Sequence, residues 1–239
     1  MSQRSLILGL DVSTSVVGVA LYSQGTVVSN GAIILPTIKK GTDLQEELLL
    51  KRDVVEAYLQ SLPQLPEVTA IGIEAPIFAT GKSNAKTVTK LIQFNTLVWE
   101  WCHRTLHTPP TLIPVYDARE LAYPEIMDIR TVSKAGEQYD RKHILNSLKK
   151  GNLVAFGAYP YDCDKKEVMM DLNERYLGVS YDRKKKESGD MSDALVIARA
   201  LDQSRSEPPA ILNYTDKGNH IEYTVQTFNG KFERVVTLS

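Results

Sequence analysis

Apolar positions along this chain follow two different periods. Leu6 to Leu10 is an unbroken apolar run that ends on one carboxylate, Asp11. Such a run reads as a strand buried on both faces. A second run, Val16 to Tyr22, follows a short Ser-Thr stretch. The spacing predicts a hairpin, with Gly18 where something must approach the backbone closely. Thr26 to Leu35 predicts a third strand after Gln24-Gly25, so the first three strands should pair as an antiparallel meander. The period then becomes helical. Leu44, Leu48, Val55, Leu59 and Leu62 predict a helix over 43–62, with Thr42 as N-cap, Gln45 completing a capping box, and Pro63 and Pro66 ending it. Val68 to Ala75 repeats the opening arrangement: a buried strand with one carboxylate, Glu74, at its exit and Pro76 stopping it.

A longer helix is predicted over 85–107, where Val88, Leu91, Ile92, Leu97, Val98 and Trp101 form a broad apolar stripe. Lys82, Lys86 and Lys90 share one face of it or its approach, which on the plainest reading is solvated. Thr111 to Tyr116 reads as a strand near an edge because Pro114 interrupts it, and Asp117 should cap a short helix after it. Helices are expected over 138–150, carrying Arg141, Lys142, Lys149 and Lys150, and near 165–176. Met191 to Ser204 is a helix rich in Ala, Leu, Val and Ile, started by Ser188-Gly-Asp190. Ile221 to Leu238 alternates as two strands around Asn229-Gly230, a strong hairpin signal. Pro208-Pro209 marks a boundary, so the expected division is a domain over 1–204, containing a less readable link at 151–189, and an extension over 205–239.

Composition narrows the class. The 239 residues are 43% hydrophobic and 24% charged, an ordinary soluble balance. No apolar run approaches the roughly 18 residues a membrane helix needs. Arg4 precedes an apolar run, but Asp11 interrupts it too early for a signal peptide. Cys102 and Cys163 stand far apart and offer neither a disulfide framework nor a thiolate metal cluster, which fits a reducing cytoplasm. Net charge is −1, so a nucleic-acid surface would have to be a local patch.

Candidate chemistry lies in four carboxylates. Asp11 and Glu74 sit at the exits of buried strands, where charge is costly unless paired or bound to a metal. Each has an ordinary reading, Asp11 as a turn cap and Glu74 as a surface glutamate. Asp190 and Asp193 stand three residues apart and share a helix face. Alone they read as an N-cap and a helix-dipole partner. Taken together, four clustered carboxylates cannot all stay ionised without cations, and oxygen ligands of this kind suit Mg²⁺ or Mn²⁺. Two such ions about 3.5–4 Å apart form the clamp of phosphoryl-transfer enzymes.

The segments LGLDVSTSVVGVAL, AIGIEAP and GDMSDALVIARA resemble, in order and spacing, the three acidic motifs of RuvC-type Holliday junction resolvases, a family of the RNase H-like nuclease superfamily. The likeness covers roughly 6–100 and 138–199 and is most specific in the Asp-x-x-Asp-Ala-x-x-x-Ala form of Asp190 to Ala198. It implies an α/β, RNase H-like fold: a five-strand mixed sheet, three strands antiparallel, with helices on both faces, here followed by a C-terminal β-hairpin addition. Carried over motif by motif, Asp11, Glu74, Asp190 and Asp193 become the metal-binding catalytic acids, with two Mg²⁺ per site and Mn²⁺ as a substitute. The resemblance also implies a catalytic lysine on the helix before the last motif, for which Lys142 is the counterpart. Phe78 is the counterpart of an aromatic that inserts at the junction, although it lies one residue further from Glu74 than the pattern expects.

The activity so implied is metal-dependent endonuclease cleavage of branched DNA in recombination and repair, resolving four-way junctions by paired nicks. Lys82, Lys86 and Lys184 to Lys186 are then candidate backbone contacts. A homodimer is expected, with its interface on the wide apolar segment around Leu91, Val98 and Trp101. Long, divergent relatives are familiar from bacteriophages, so a bacterial or phage-infected cytoplasm is the expected setting. Two other readings stay open: an ATP-binding protein of the sugar-kinase/actin type, whose first phosphate motif also follows a strand with Asp and Thr, and a non-catalytic DNA-binding protein of the same fold.

Overall fold

In the computed structural model, β1 (Leu6–Val12) is buried along its whole length. It is the centre of a five-stranded sheet. The structure describes residues 5–39, 41–76, 85–133, 135–160, 162–163, 165–206, 209–227 and 230–237. β2 (Val16–Ser23) and β3 (Thr26–Ile34) extend the sheet antiparallel on one side. α1 (Leu44–Gln60) then leads to β4 (Val68–Glu74), which pairs parallel with β1. α2 (Ala85–Leu106) leads to β5 (Thr111–Ile113), parallel to β4. Three antiparallel strands joined to parallel neighbours, with helices on both faces, make this an α/β, RNase H-like fold.

Strand alternation sorts the core into two layers. Leu6, Leu8 and Leu10 of β1 and Ile71 and Ile73 of β4 pack with Leu48, Val55 and Leu59 of α1 and Phe94, Val98 and Trp101 of α2. On the opposite face Ile7, Ala20, Tyr22 and Ala70 pack against Ala194, Leu195, Ala198 and Leu201 of α7 (Glu187–Ser204). Close approach there depends on glycine. A Cβ on Gly9 would stand 2.2 Å from the carbonyl oxygen of Ala194. One on Gly18 would stand 1.9 Å from that of Asp190.

Chain contacts divide the molecule into two compact units, Met1–Arg119 with Cys163–Asp202, and Glu120–Asp162 with Gln203–Ser239. The first holds the sheet just described, α6 (Lys166–Leu177) and nearly all of α7. The boundary at 119/120 falls inside α3 (Val115–Leu121). The second unit contains β6 (Asp128–Ile129), α4 (Arg141–Lys150), α5 (Leu153–Phe156) and β7 (Gly157–Ala158). It also contains a three-stranded sheet of β8 (Ala210–Asp216), β9 (His220–Thr227) and β10 (Gly230–Thr237).

This division differs from the expected cut at 204/205. Met127, Ile129, Ile144, Leu148 and Leu153 share a core with Ile211, Ile221, Tyr223 and Val225, a long-range association that local periodicity does not carry. The tail is likewise more than a hairpin, since β8 joins β9 and β10. No described helix is long and apolar enough to cross a membrane.

Several local expectations shift. Asp43, not Thr42, caps α1, accepting from the backbone N–H groups of Gln45 and Glu46. The predicted strand over 111–116 ends at Ile113, and helix begins at Val115. α7 starts at Glu187, so Asp190 lies inside its first turn and is not its cap. Val98 and Trp101, expected at a dimer interface, are 1% and 3% exposed in their own unit. α2 buries one side on the sheet and another on α1, so its stripe is wide for an internal reason.

Candidate active site

The register of the parallel pair builds the site. Leu10 pairs with Ile73, so the next residues, Asp11 and Glu74, leave the sheet side by side on the face covered by α7. Across the hairpin Asp11 pairs with Gly18, the residue whose missing side chain lets the Asp190 backbone rest on β2. One glycine therefore sets the helix carboxylate beside the strand carboxylate. Asp11, Ser13, Glu74, Lys166 and Asp190 line one cavity of about 230 Å³ at this mouth. The Ser13 hydroxyl accepts from the N–H of Val16 at 3.1 Å and donates to its carbonyl at 2.8 Å, closing the β1–β2 turn. Behind Glu74, Nδ2 of buried Asn95 donates to the Glu74 carbonyl at 3.0 Å, and the Ala75 N–H donates to Ile113 at 2.9 Å.

The electrostatics are those of a crowded acidic site. Burial pushes the Asp11 carboxyl well above its ordinary range, and a carboxyl–carboxyl hydrogen bond with Glu74 pushes it further. The charges of Glu74 and Asp193 act in the same direction, with Lys166 opposing. Asp190 is also raised, first by burial and then by Asp193, against the pull of Lys166 and Lys186. Burial works against the Lys166 ammonium. Asp193 above all, with Asp11 and Asp190, outweighs that and holds its pKa above the usual lysine value. Lys166 Nζ stands 2.8 Å from Asp193 Oδ2 and 3.5 Å from Asp190 Oδ1.

Asp193 is 1% exposed and held on its other side by Arg119. Arg119 donates from Nε to Oδ1 at 3.2 Å and from Nη2 to the two oxygens at 2.9 and 3.0 Å. Both Asp193 oxygens thus face cationic side chains.

Among the described residues no group of three His, Cys, Asp or Glu stands close enough together to hold an ion. The donor set nonetheless fits a hard divalent cation. Two carboxyls in hydrogen-bond contact, one of them buried, need either a proton or a cation between them, and oxygen donors suit Mg²⁺ or Mn²⁺. Asp11 and Glu74 would hold it; Asp190 lines the same cavity but does not stand close enough to them to make a third ligand in this arrangement. Asp193 in its present contacts anchors Arg119 and Lys166.

The remaining sequence candidates are spread more widely. Lys142 lies on α4 of the second unit. Lys86 is exposed in the first turn of α2, and Lys184, Lys185 and Lys186 are exposed just before α7. Phe78 and Lys82 lie outside the described residues. Sequence reasoning missed Lys166 and Arg119. Lys166 had a readable cue, because α6, and not α4, is the helix that immediately precedes the last acidic motif. Arg119 had none, being one charge on a short helix.

No family model matches the chain, and no curated protein matches it. Among solved structures it is similar to Thermus thermophilus RuvC in complex with a Holliday junction substrate. There the TM-score is 0.47 and identity 11%, over 84% of this chain and 95% of that one. The yeast mitochondrial Holliday junction resolvase Ydc2 gives a TM-score of 0.42 and 13% identity, over 82% and 77% of the two chains. An Arthrobacter inorganic polyphosphate/ATP-glucomannokinase gives 0.32 and 17%, over 50% and 48%.

Proposed function

We propose that this chain is a metal-dependent endonuclease that cuts branched DNA, resolving four-way junctions by paired nicks. The observation that carries the reading is the convergence of all three acidic motifs on one mouth, with Asp11, Glu74 and Asp190 around a single cavity and a lysine among them. When bound, two Mg²⁺ (or Mn²⁺) would polarise the scissile phosphate and activate water for in-line attack. Asp11 and Glu74 orient that chemistry from two rigid strands, and Asp190 closes it from the helix. Lys166 neutralises charge at the reacting phosphate, the role that the resemblance gives to Lys142. Asp193 completes the acidic set and, through Arg119, fixes the second turn of α7. Lys82, Lys86 and Lys184 to Lys186 contact backbone phosphates, and Phe78 inserts at the junction. Two coordinated nicks need two sites, which a two-fold homodimer supplies, on a surface other than Val98 and Trp101.

The test is incubation with labelled four-way, flap and linear DNA in Mg²⁺, Mn²⁺, Ca²⁺ or chelator. Cleavage of the four-way substrate in Mg²⁺ or Mn²⁺, and binding without turnover in Ca²⁺, is the expected result. Full activity in excess chelator refutes the metal assignment. ATP hydrolysis without DNA cleavage would favour the kinase-like reading.

A further inference from the structure

A second polar cavity, of about 320 Å³, adjoins the acidic one. It is lined by Lys39, Lys51 and Lys90, by the hydroxyl residues Thr14, Thr37 and Thr42, and by one carboxylate, Glu47. Its charge is therefore opposite in sign to that of the acidic mouth. Lys51 is 6% exposed, which is unusual for a lysine and shows that the fold holds it in place. Its ammonium donates to the Thr14 carbonyl at 2.8 Å and lies 2.7 Å from Glu47. Lys90 Nζ lies 2.6 Å from the same Glu47 oxygen. Glu47 thereby fixes two ammonium groups side by side, and those groups hold its carboxyl below the ordinary range. Among the described residues the third N–H of Lys51 and the hydroxyls of Thr14, Thr37 and Thr42 have no partner. Unused donors beside two clamped cations match the oxygens of a tetrahedral anion.

The position is as informative as the composition. Ser13 lines the acidic cavity and Thr14 the basic one, and Leu91 lines the acidic cavity while Lys90 lines the basic one. The two cavities are thus lined by consecutive residues at two separate places, the β1–β2 turn and α2. A strand with one phosphate at the carboxylates would bring a neighbouring phosphate to the lysines.

We propose that the cavity of Lys39, Lys51 and Lys90 is a phosphate seat that holds the DNA backbone next to the cleaved position and sets which phosphodiester reaches Asp11 and Glu74. The identity of the phosphate as DNA rests on the nuclease reading. The seat itself does not.

The experiment uses the full chain and two variants, Lys90→Gln with Lys39→Gln, and Lys51→Met, each checked for folding by circular dichroism. Junction binding in Ca²⁺ is measured across salt concentrations. The double variant should bind more weakly on every sequence, and its log–log salt slope should fall by about 1 for each lost phosphate contact. Single methylphosphonates placed along the cut strand should weaken wild-type binding at one phosphate beside the cleavage point, and the variants should be indifferent to that substitution. Wild-type affinity and slope in a folded double variant overturn the proposal. So does a methylphosphonate scan with no position at which wild type and variant differ. If the wild type neither binds nor cuts DNA, thermal shifts with ATP and tripolyphosphate separate the two ideas. Stabilisation of wild type but not of the variants keeps the seat, assigns it to a nucleotide and ends the nuclease reading. No stabilisation by either compound ends both.

Discussion

Asp11→Asn should abolish cleavage and yet make the metal-free protein more stable. Asp11 is 5% exposed and hydrogen-bonds to Glu74, so its ionised form is disfavoured by lost hydration and by a neighbouring carboxyl. An asparagine keeps the shape, removes the charge and can donate its amide to Glu74. Because the folded pKa is raised, the folded state binds more protons than the unfolded state between the ordinary Asp value, about 3.9, and the raised one. Stability therefore falls as pH climbs through that window, and the penalty is fully present above it. Each unit of the shift corresponds to about 1.4 kcal/mol. For a chain of 150–250 residues that is roughly 3–6 °C in Tm. The assay is thermal unfolding of wild type and variant in chelator at pH 5 and pH 8. The variant should melt higher at pH 8, and the gap should narrow at pH 5. Added Mg²⁺ should raise the wild-type Tm and leave the variant nearly unmoved. A variant that melts at or below wild type at pH 8 in chelator would refute the reasoning, because Asp11 would then be comfortably ionised without a cation.

The other perturbations test the scaffold. Gly18→Ala forces a Cβ to within 1.9 Å of the Asp190 carbonyl, so it should cost about 1–3 kcal/mol in urea unfolding and suppress cleavage by moving the helix carboxylate. Arg119→Met leaves buried Asp193 with Lys166 alone and should cost about 3–5 kcal/mol. Adding Asp193→Leu should recover part of that loss, and a double-mutant cycle with no coupling would show the pair to be inert. Lys166→Gln should slow cleavage by about 10²–10³ while junction affinity in Ca²⁺ changes only a few-fold. An unchanged rate would return the lysine role to another residue.

Much of the first unit was legible because its signals are local. Buried strands announce themselves as apolar runs, and the carboxylates at their exits stand out because each is the first charge after such a run. Gly18 was legible as a close approach, though not as the seat of Asp190. Lys51 could have been found: it follows Leu48 by three residues and precedes Val55 by four, so it occupies the apolar stripe of α1. Arg119 and the core of the second unit were hidden for a different reason. Their partners lie tens of residues away, and no periodicity encodes which charge meets which. The apolar stripe of α2 misled because width measures how much of a helix is covered and not what covers it.

The second unit is assembled from two separated stretches, 120–162 and 203–239, that share one core. This constrains how the protein can be trimmed to its first unit. Stopping the chain at 204 deletes Ile211, Ile221, Tyr223 and Val225 while leaving Met127, Ile129, Ile144 and Leu148 without cover, which invites aggregation. A workable miniature has to drop both stretches together, bridging Arg119 to Cys163 with a soluble linker and ending near Asp202. The same geometry makes the paired segments a natural cassette.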